Sequence, residues 1–284
     1  MKLQQWVLFI DMLGYGELNS QIKTDEEAEK FIDFMKSNEE IFKNQENKDV
    51  YEGESFDLYK YYDIQIAFIS DSLIINYKPK IVDEKENAKL QLMHSANALI
   101  IIVNRIQTYY YNCLKEKSIF IRGGISNGYC IIDENFAVGE GLIKAYKIES
   151  KVADYPRIVL DKEITEQEGF VDTINLITKH IYKVDSILTK DDNDNYFVNY
   201  LKFNISITNS TLKNDKRAKQ VIYSFIQLHK DCLIAKLAEI TKSLQNSKSE
   251  IESVKLQKVQ DKFLWLKNYH NENVQELGAD LKIE

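Results

Sequence analysis

Short apolar runs bounded by polar or turn residues predict the strands of this chain. Residues 6–11 (WVLFID) read as a buried strand that ends at Asp11. Residues 64–70 and 72–77 flank the tripeptide Ser70-Asp71-Ser72, so we predict a tight β-hairpin with Asp71 at its tip. The same pattern predicts further strands over residues 119–126, 129–132, 157–160 and 196–200.

The dipeptide Asn127-Gly128 directly follows the predicted strand 119–126. It is a strong signal for a two-residue hairpin turn, because both residues tolerate the positive φ angles that such a turn requires. We therefore predict that residues 129–132 return as the second strand of a hairpin.

Longer segments carry apolar residues at every third or fourth position and predict helices. The first of them starts at Thr24-Asp-Glu-Glu27, a capping-box pattern. Residues 46–60, which follow it, are polar and are predicted to form a loop. The predicted helices cover residues 24–44, 87–113, 139–152, 213–244 and 250–269.

The order of these elements is β-α-β-β-α-β with additions, which indicates an α+β fold of the ferredoxin-like or palm type with a C-terminal helical pair. We assign a catalytic domain to residues 1–165, a mixed insert to 166–205 and a helical extension to 206–284. The C-terminal helices have apolar stripes that need a partner surface. We expect them to pack on the catalytic domain or on a second copy, and to carry no catalytic residue.

Asp11 and Asp71 are the first candidates for chemistry. In a palm topology the end of the first strand and the tip of the central hairpin come together at one edge of the sheet. Magnesium suits sites built from one or two carboxylates plus substrate phosphates, so the pair predicts a divalent-cation site. The alternative, that each aspartate merely caps a turn, stays open because aspartate is a preferred turn residue.

Composition restricts the function further. The chain has 284 residues and a formal net charge of −7, which argues against a general nucleic-acid binder but not against a single nucleotide as substrate. Its three cysteines are widely spaced, form no CxxC and fit a reducing compartment. No apolar run approaches the roughly 18 residues of a membrane span. We expect a cytoplasmic protein without a membrane span.

Five motifs, in this order along the chain, resemble class III nucleotidyl cyclases. The likeness is strongest to the pyrimidine cyclases of the Pycsar antiphage system; it covers about residues 1–160 and returns in LWLKNYHNE, Leu264 to Glu272. The motifs are FIDMLG (Phe9 to Gly14), SDS (Ser70 to Ser72), RGGIS-NG (Arg122 to Gly128), GEGLIKAYKIE (Gly139 to Glu149) and YPRI (Tyr155 to Ile158).

The resemblance implies a homodimer with active sites at the subunit interface. It also implies two divalent ions, magnesium or manganese, and a cyclic UMP or cyclic CMP product that activates a separate effector. The implied reaction is in-line attack of the ribose 3′-hydroxyl on the α-phosphorus of a nucleoside triphosphate. One ion would lower the pKa of the attacking hydroxyl, and the other would neutralise charge on the leaving pyrophosphate.

Carried over position by position, the resemblance assigns the metals to Asp11, Asp71 and the backbone of Ile10. Ile10, Leu13 and Gly14 belong to the segment that would pass under the triphosphate, where backbone amides approach phosphate oxygens. The turn at Gly139 opens the helix that carries the transition-state residues of the family.

Two positions of that helix depart from the purine cyclases. Where the purine cyclases have an asparagine and an arginine, this chain has Ile143 and Lys147. Lys147 would still place a cation near the α-phosphate, although as a point charge without the fork of an arginine. Lys144, on the same helix, is also assigned to the substrate.

The base-reading positions differ as well. The positions at which purine cyclases have a lysine and an aspartate are occupied here by Ala67 and Phe136. The loss of both polar side chains favours a pyrimidine substrate, bound partly beside Phe136. Arg122 is the candidate to donate a hydrogen bond to a base carbonyl; the alternative is that it pairs with a neighbouring carboxylate. Arginine only donates, and uracil offers two carbonyl acceptors, so we expect UTP rather than CTP.

Two other functions stay open. The missing asparagine–arginine pair favours a catalytically inactive nucleotide sensor or dimeric scaffold. A palm-type enzyme that joins two nucleotides would use the same fold and metals.

Overall fold

The structure is a computed structural model that describes residues 3–43, 56–80, 87–134, 136–181, 183–184, 186–210, 212–275 and 277–284. Its strands are β1 Trp6–Leu13, β2 Tyr62–Ile69, β3 Ser72–Pro79, β4 Phe120–Asn127, β5 Ile131–Asp133, β6 Phe136–Val138, β7 Ile158–Leu160, β8 Leu188–Lys190 and β9 Tyr196–Val198. Its helices are α1 Tyr15–Gln21, α2 Asp25–Lys43, α3 Leu58–Tyr61, α4 Ala88–Lys117, α5 Glu140–Lys151, α6 Lys162–Thr165, α7 Phe170–Ile181, α8 Tyr200–Asn209, α9 Lys216–Gln245 and α10 Glu250–Asn273. A short 3₁₀ helix, Ala279–Leu281, follows α10.

Seven strands form the main sheet in the order β2-β3-β1-β4-β7-β9-β8. Strand β1 lies antiparallel between β3 and β4, and β2 pairs antiparallel with β3. With the helices that connect them, β1 to β4 have the strand order and directions of a ferredoxin-like βαββαβ unit. The predicted α+β palm fold is therefore confirmed by the topology of the sheet.

The two faces of β1 belong to different clusters, because successive side chains of a strand point to opposite faces. Trp6, Leu8, Ile10 and Met12 are buried in the main core with α4. Val7 lies in a second cluster with Ala145 of α5. Asp11 is on this second face, and α5 therefore covers the side of the sheet on which the site lies.

Two glycines of β4 allow that close packing. A Cβ atom at Gly123 would lie 2.7 Å from the carbonyl oxygen of Phe9, and one at Gly124 would overlap the carbonyl oxygen of Ala145. Larger residues would push α5 and β1 away from β4. The Gly-Gly pair next to Arg122 thus sets the distance between helix and sheet.

The hairpin predicted at Asn127-Gly128 is wrong. Strand β4 pairs with β1 on one side and, in parallel, with β7 on the other, while β5 pairs with β6 in a separate two-stranded sheet. Both edges of β4 are occupied by these distant strands, so no edge is left for residues 129–132. Gly128 instead packs beside the start of α5, where a Cβ atom would lie 3.1 Å from Gly141.

Two further expectations need correction. The strand predicted over 196–200 ends at Val198, because Asn199 accepts a hydrogen bond from the Lys202 amide and caps α8. Within the loop predicted over 46–60, residues 58–60 belong to the short helix α3; residues 46–55 lie outside the described residues.

All five predicted helices are confirmed. Side-chain caps explain most of their starts: Thr24 and Glu27 form the expected capping box, and the other N-terminal caps are Asn87, Asp215 and Ser249. The short helices α1, α6, α7 and α8 were not predicted.

The C-terminal helical pair is present, and α9 packs against α10. Both helices also contact the domain that precedes them, through Phe225 against Tyr110 and through Phe263 against Phe120. Strands β8 and β9 of the assigned insert join the main sheet through Val159 and Phe197. The division at residues 165 and 205 stays a prediction. No helix in the described part of the chain is both long and apolar enough to cross a membrane.

Candidate active site

Asp11 and Asp71 lie together at one edge of the sheet. Asp11 stands opposite Ser72 in the pairing of β1 with β3, and the amide of Met12 donates to the carbonyl oxygen of Asp71 over 3.1 Å. The two carboxyl groups are close enough to share a hydrogen bond. The two aspartates therefore lie next to each other, as the palm topology predicts.

The surroundings of Asp11 oppose its negative charge. Burial is the largest cause that raises its pKa, to about 6; the charge of Glu149 raises it further, that of Arg122 lowers it, and Asp71 raises it again. Carboxylates in a half-buried, mutually repelling group are stabilised when a divalent cation binds between them.

The described residues contain no group of three or more histidine, cysteine, aspartate or glutamate side chains that could hold a metal ion. The protein ligands available are thus the two aspartates and backbone oxygens. The side chain of Ile10 is fully buried in the main core, so only its backbone carbonyl could serve. Such a small set leaves most coordination positions to water and substrate, as magnesium usually requires.

Arg122 lies on β4 directly opposite Asp11. Its Nη2 is 3.5 Å from Oδ2 of Asp11, and the same nitrogen forms an ion pair with Glu149 of α5. The carboxylate pairing that the sequence left as an alternative is thus present, and the contact with a base stays a prediction.

Glu149 was missed by the sequence analysis. Its side chain is only 4% exposed, although it is charged and sits in the last turn of an amphipathic helix. Burial raises its pKa, whereas Arg122 lowers it. Its position in the helix could have identified it. Glu149 falls on the same helical face as Ala145 and Ile148, where burying a carboxylate is costly unless it is paired.

The other predicted residues of α5 form no ion pair with Asp11 in the described part of the chain. Lys144 forms an ion pair of 2.5 Å with Glu163, and Lys147 is exposed and makes no ion pair within the described part of the chain. Ile143 is 55% exposed. Phe136, on β6, is 74% exposed. The single chain therefore does not bring Lys147 or Phe136 into contact with the two aspartates.

An apolar groove of about 320 Å³ lies beside Ser72, the residue opposite Asp11. The ring of Phe9 packs edge-on against Tyr146 at its base, 5.3 Å between centroids. Its other lining residues are Ile69, Ile74, Leu142 and Ile143. We call the edge of the sheet that carries Asp11 and Asp71 the acidic edge. The exposed face of α5 and the acidic edge thus share one surface of the molecule.

The predicted phosphate segment turns sharply after β1. Gly14 has φ 90°, a left-handed conformation that favours glycine, and its carbonyl oxygen accepts from the Leu18 amide over 3.1 Å. A Cβ atom at Gly14 would meet nothing within 4 Å, so the backbone is open to an approaching ligand. Leu13 and Gly14 also border a cavity of about 280 Å³ in front of α9.

Comparisons with known proteins find only distant similarity. No protein-family model and no curated protein match the chain. Among solved structures, it is similar to the dimeric guanylyl cyclase domain of the RhoGC fusion protein from the aquatic fungus Blastocladiella emersonii. That match has 15% identity and a TM-score of 0.40, and covers 69% of this chain and 93% of that one.

Two further solved structures are similar to a comparable degree. The catalytic core of a rhodopsin-guanylyl cyclase with converted specificity, in complex with ATPαS, has 15% identity and a TM-score of 0.38, over 69% of this chain and 95% of that one. The guanylyl cyclase Cya2 has 11% identity and a TM-score of 0.33, over 70% and 92%. Similarity this low says nothing about individual residues of the site.

Proposed function

We propose that this protein is a class III nucleotidyl cyclase that converts a pyrimidine nucleoside triphosphate, UTP before CTP, into its 3′,5′-cyclic monophosphate and pyrophosphate. The observation that carries the proposal is the meeting of Asp11 and Asp71 at the edge of a palm sheet, in a half-buried group that opposes their charge. The five motifs along the chain supply the reaction class.

In this proposal Asp11, Asp71 and the carbonyl oxygen of Ile10 hold magnesium or manganese. Bound metal would supply Lewis-acid activation of the 3′-hydroxyl and neutralise charge on the leaving pyrophosphate. The open backbone around Leu13 and Gly14 binds the phosphates, and Lys144 exchanges its partner Glu163 for the substrate. The chain's own contribution is then mostly positioning and electrostatics.

The proposed pyrimidine preference rests on the absence of the lysine and aspartate with which purine cyclases recognise their base. Ala67 is buried within β2 and Phe136 offers no hydrogen bond, so neither replaces the base-reading side chains of purine cyclases. In the proposal, Arg122 donates to a carbonyl of the base. A buried donor left without its acceptor costs about 1–3 kcal/mol, which would discriminate against bases that lack the acceptor.

The proposal includes a two-fold homodimer. Exposed apolar side chains in the groove beside Ser72, among them Ile69, Ile143 and Tyr146, form a surface of the kind that marks protein interfaces. Pairing two copies through this surface would set the partner's Lys147 against Asp11 and Asp71. The cation that one chain lacks at its acidic edge would then come from the other.

Product analysis tests the activity. Purified protein is incubated with equal UTP, CTP, ATP and GTP and with Mn²⁺, and the products are identified by mass. We expect cyclic UMP to dominate; dominant cyclic CMP would overturn only the choice of base, and dominant cyclic AMP or cyclic GMP the pyrimidine preference. Linear dinucleotides would indicate an enzyme that joins nucleotides, and nucleotide binding without turnover an inactive sensor or scaffold.

Mixing two inactive variants tests the shared site. Asp71→Ala and Lys147→Ala should each abolish turnover alone. A mixed dimer has one site that combines an intact Asp71 with an intact Lys147, so the mixture should regain up to about a quarter of wild-type activity, by random pairing of subunits. No recovery in a mixture shown to exchange subunits would place Lys147 in the site of its own chain or outside the site.

The proposed product would act as a second messenger for a separate effector in antiphage defence. Exposure of cells that carry the protein to phage, followed by measurement of cyclic UMP with wild type and Asp71→Ala, tests this role. An equal phage sensitivity of the two would contradict it.

A further inference from the structure

Three side-chain amides meet on the side of the sheet that α5 covers. Asn76 of β3 stands directly opposite Val7 of β1 and Gln65 of β2, and residues paired in this way share one face. Val7 belongs to the cluster that includes Ala145 of α5. Gln5, which precedes β1, adds the third amide: its Nε2 donates to Oδ1 of Asn76 over 2.9 Å. Asn76 is fully buried, so its polar atoms need partners within the protein.

Those partners come from residues 130–132, which lead into β5. Nε2 of Gln5 and Nδ2 of Asn76 both donate to the carbonyl oxygen of Cys130, over 2.6 and 2.9 Å. Nδ2 of Asn76 also donates to Oε1 of Gln65 over 2.7 Å, and the same oxygen accepts from the amide of Ile132 over 3.2 Å. We call these hydrogen bonds, with that between Gln5 and Asn76, the amide network.

The two backbone groups fix the orientation of all three amides. A carbonyl oxygen only accepts, so the atoms of Gln5 and Asn76 that face Cys130 are nitrogens. A backbone N–H only donates, so the atom of Gln65 that faces Ile132 is its oxygen. Both N–H bonds of the Asn76 amide are then used, as are both lone pairs of the Gln65 oxygen. No amide of the network can turn over without losing a contact.

Residues 129–132 in turn hold the start of α5. The carbonyl oxygen of Tyr129 accepts from the amide of Gly141 over 3.0 Å. Ser126 of β4 is fully buried, and its hydroxyl donates to the carbonyl oxygen of Gly141 over 2.6 Å. A Cβ atom at Gly139 would overlap the Tyr129 carbonyl, so the two segments touch backbone to backbone. A displacement of residues 129–132 would therefore displace α5 as well.

The anchored residues also border the surface that the proposed function uses. Cys130 and Ile132 share a cluster with Ile74, which lines the apolar groove as well. Strand β5 pairs with β6, which carries Phe136. One buried anchor thus holds the β5–β6 hairpin with Phe136 and the helix with Lys147, the elements that the proposal places at the base and at the partner subunit.

We infer that Asn76 and Gln65 are positioning residues, which hold the β5–β6 hairpin and the start of α5 in the place that substrate binding requires without touching the substrate themselves. The part that concerns the substrate rests on the proposed function and deepens it. Asn76 acts through its nitrogen, which faces two acceptors. Gln65 acts through its oxygen alone, since its nitrogen forms no hydrogen bond to any residue that the structure describes.

The same chemical change at the two positions tests this assignment. Asn76→Asp puts an oxygen where the nitrogen faces two acceptors, so it should break the network. A turn of the Gln65 amide toward the new carboxylate would leave the Ile132 amide facing a donor. Gln65→Glu is the matched control, because it adds an equal charge but keeps the oxygen that accepts from Asn76 and Ile132.

Hydrogen exchange of residues 129–134 in the full chain measures the anchor without relying on turnover. At the same interval below each melting temperature, Asn76→Asp should exchange at least about tenfold faster than wild type, because buried groups have lost their partners. Gln65→Glu should stay within about threefold of wild type. Unchanged exchange in Asn76→Asp, or an equal increase in both variants, would overturn the inference. If Asn76→Asp does not fold, Gln65→Leu, which removes the acceptor at a less buried position, takes its place.

Kinetics with UTP separate positioning from a purely structural role. The kcat/KM per folded molecule should fall about tenfold or more in Asn76→Asp, because small displacements of binding groups are costly, and stay near wild type in Gln65→Glu. The affinity for Mn²⁺ should be unchanged in both, since the amide network does not include Asp11 or Asp71. Faster exchange with an unchanged kcat/KM would contradict the positioning role. A wild type that makes no cyclic nucleotide but shows the expected exchange pattern would contradict the cyclase alone.

Discussion

At the hairpin end of β1, Asp11, Asp71 and Arg122 form a charged cluster that reaches the surface, whereas His229 and His270 form a neutral one that is fully buried between α9 and α10. Both clusters join elements far apart in the sequence. The first contains carboxylates that repel each other and a pKa raised by burial. The second contains imidazoles whose pKa values are lowered, above all by burial.

The hydrogen bonds of the histidine cluster can be assigned in full. Nε2 of His270 lies 2.9 Å from the carbonyl oxygen of Leu281, which only accepts, so this nitrogen carries a proton. Nδ1 of neutral His270 therefore accepts from Nδ1 of His229, 3.0 Å away. Nε2 of His229 must then accept from the hydroxyl of Tyr200 over 2.9 Å. Each imidazole nitrogen has one partner, and no charge is needed.

The difference between the clusters separates stability from function. A closed chain of hydrogen bonds gains nothing from a ligand and fixes α10 and the segment around Leu281 to the core. The acidic edge keeps charges that the protein itself leaves only partly neutralised, which is the arrangement expected where a cation or phosphate binds. Substitutions in the two clusters should therefore have opposite signatures.

The largest effect is expected for Asp71→Asn. Loss of a metal ligand should reduce cyclic-nucleotide formation by at least about 100-fold, because metal binding supplies several kcal/mol to the transition state. Stability should stay the same or rise, since one of two repelling carboxylates is removed. Turnover with Mn²⁺ and thermal melting are measured on the same preparation.

Asp63→Asn is the control for this substitution. Asp63 is exposed on β2, the other strand of the hairpin, and pairs with Lys80 on the surface. Its loss should leave turnover unchanged. A large loss of stability in Asp71→Asn would mean that the carboxylate holds the hairpin, and near-normal turnover would exclude it as a metal ligand.

A smaller and opposite effect is expected for His270→Leu. The substitution leaves the Nδ1–H of His229 and the carbonyl of Leu281 buried without partners, at about 1–3 kcal/mol for an unsatisfied group. The melting temperature should fall by about 2–4 °C per kcal/mol. Turnover per folded molecule should be unchanged.

A double-mutant cycle sharpens this result. When His229→Leu is added, the orphaned donor disappears, so the double variant should be destabilised by less than the sum of the two single substitutions. The melting temperatures of the four proteins give the coupling directly. Additive effects would show that the bond between the two imidazoles contributes nothing.

Sequence reasoning was successful where local pattern decides the structure. Apolar runs located β1 to β4, although β6 and β8 were not predicted, and the palm order then brought Asp11 and Asp71 to one edge. It failed where pairing across the sheet decides: Asn127-Gly128 is a local hairpin signal that the distant partners of β4 override. The ion pair of Glu149 with Arg122 depends on how α5 crosses β4, and helical periodicity contains no information about that crossing.

The smallest effect expected concerns pH and the histidine cluster. Because the folded pKa values of His229 and His270 lie below the ordinary 6.5, the unfolded chain takes up protons below about pH 6.5 that the folded chain does not. Stability should therefore fall with pH from about 6.5 downward, by at most about 1.4 kcal/mol per pH unit for each histidine. Among the described residues, no carboxylate is hydrogen-bonded or ion-paired to either imidazole. The polar neighbours include the hydroxyl of Tyr200 and the ammonium of Lys230, and the ammonium disfavours a charge on His270. Urea denaturation at pH 7.5, 6.5 and 5.5 measures the slope. In the double variant His229→Leu/His270→Leu, the part of the pH dependence due to the histidines should be absent, while the part due to the carboxylates remains. Equal pH dependence of stability in the double variant and the wild type would show that the buried histidine pair does not titrate.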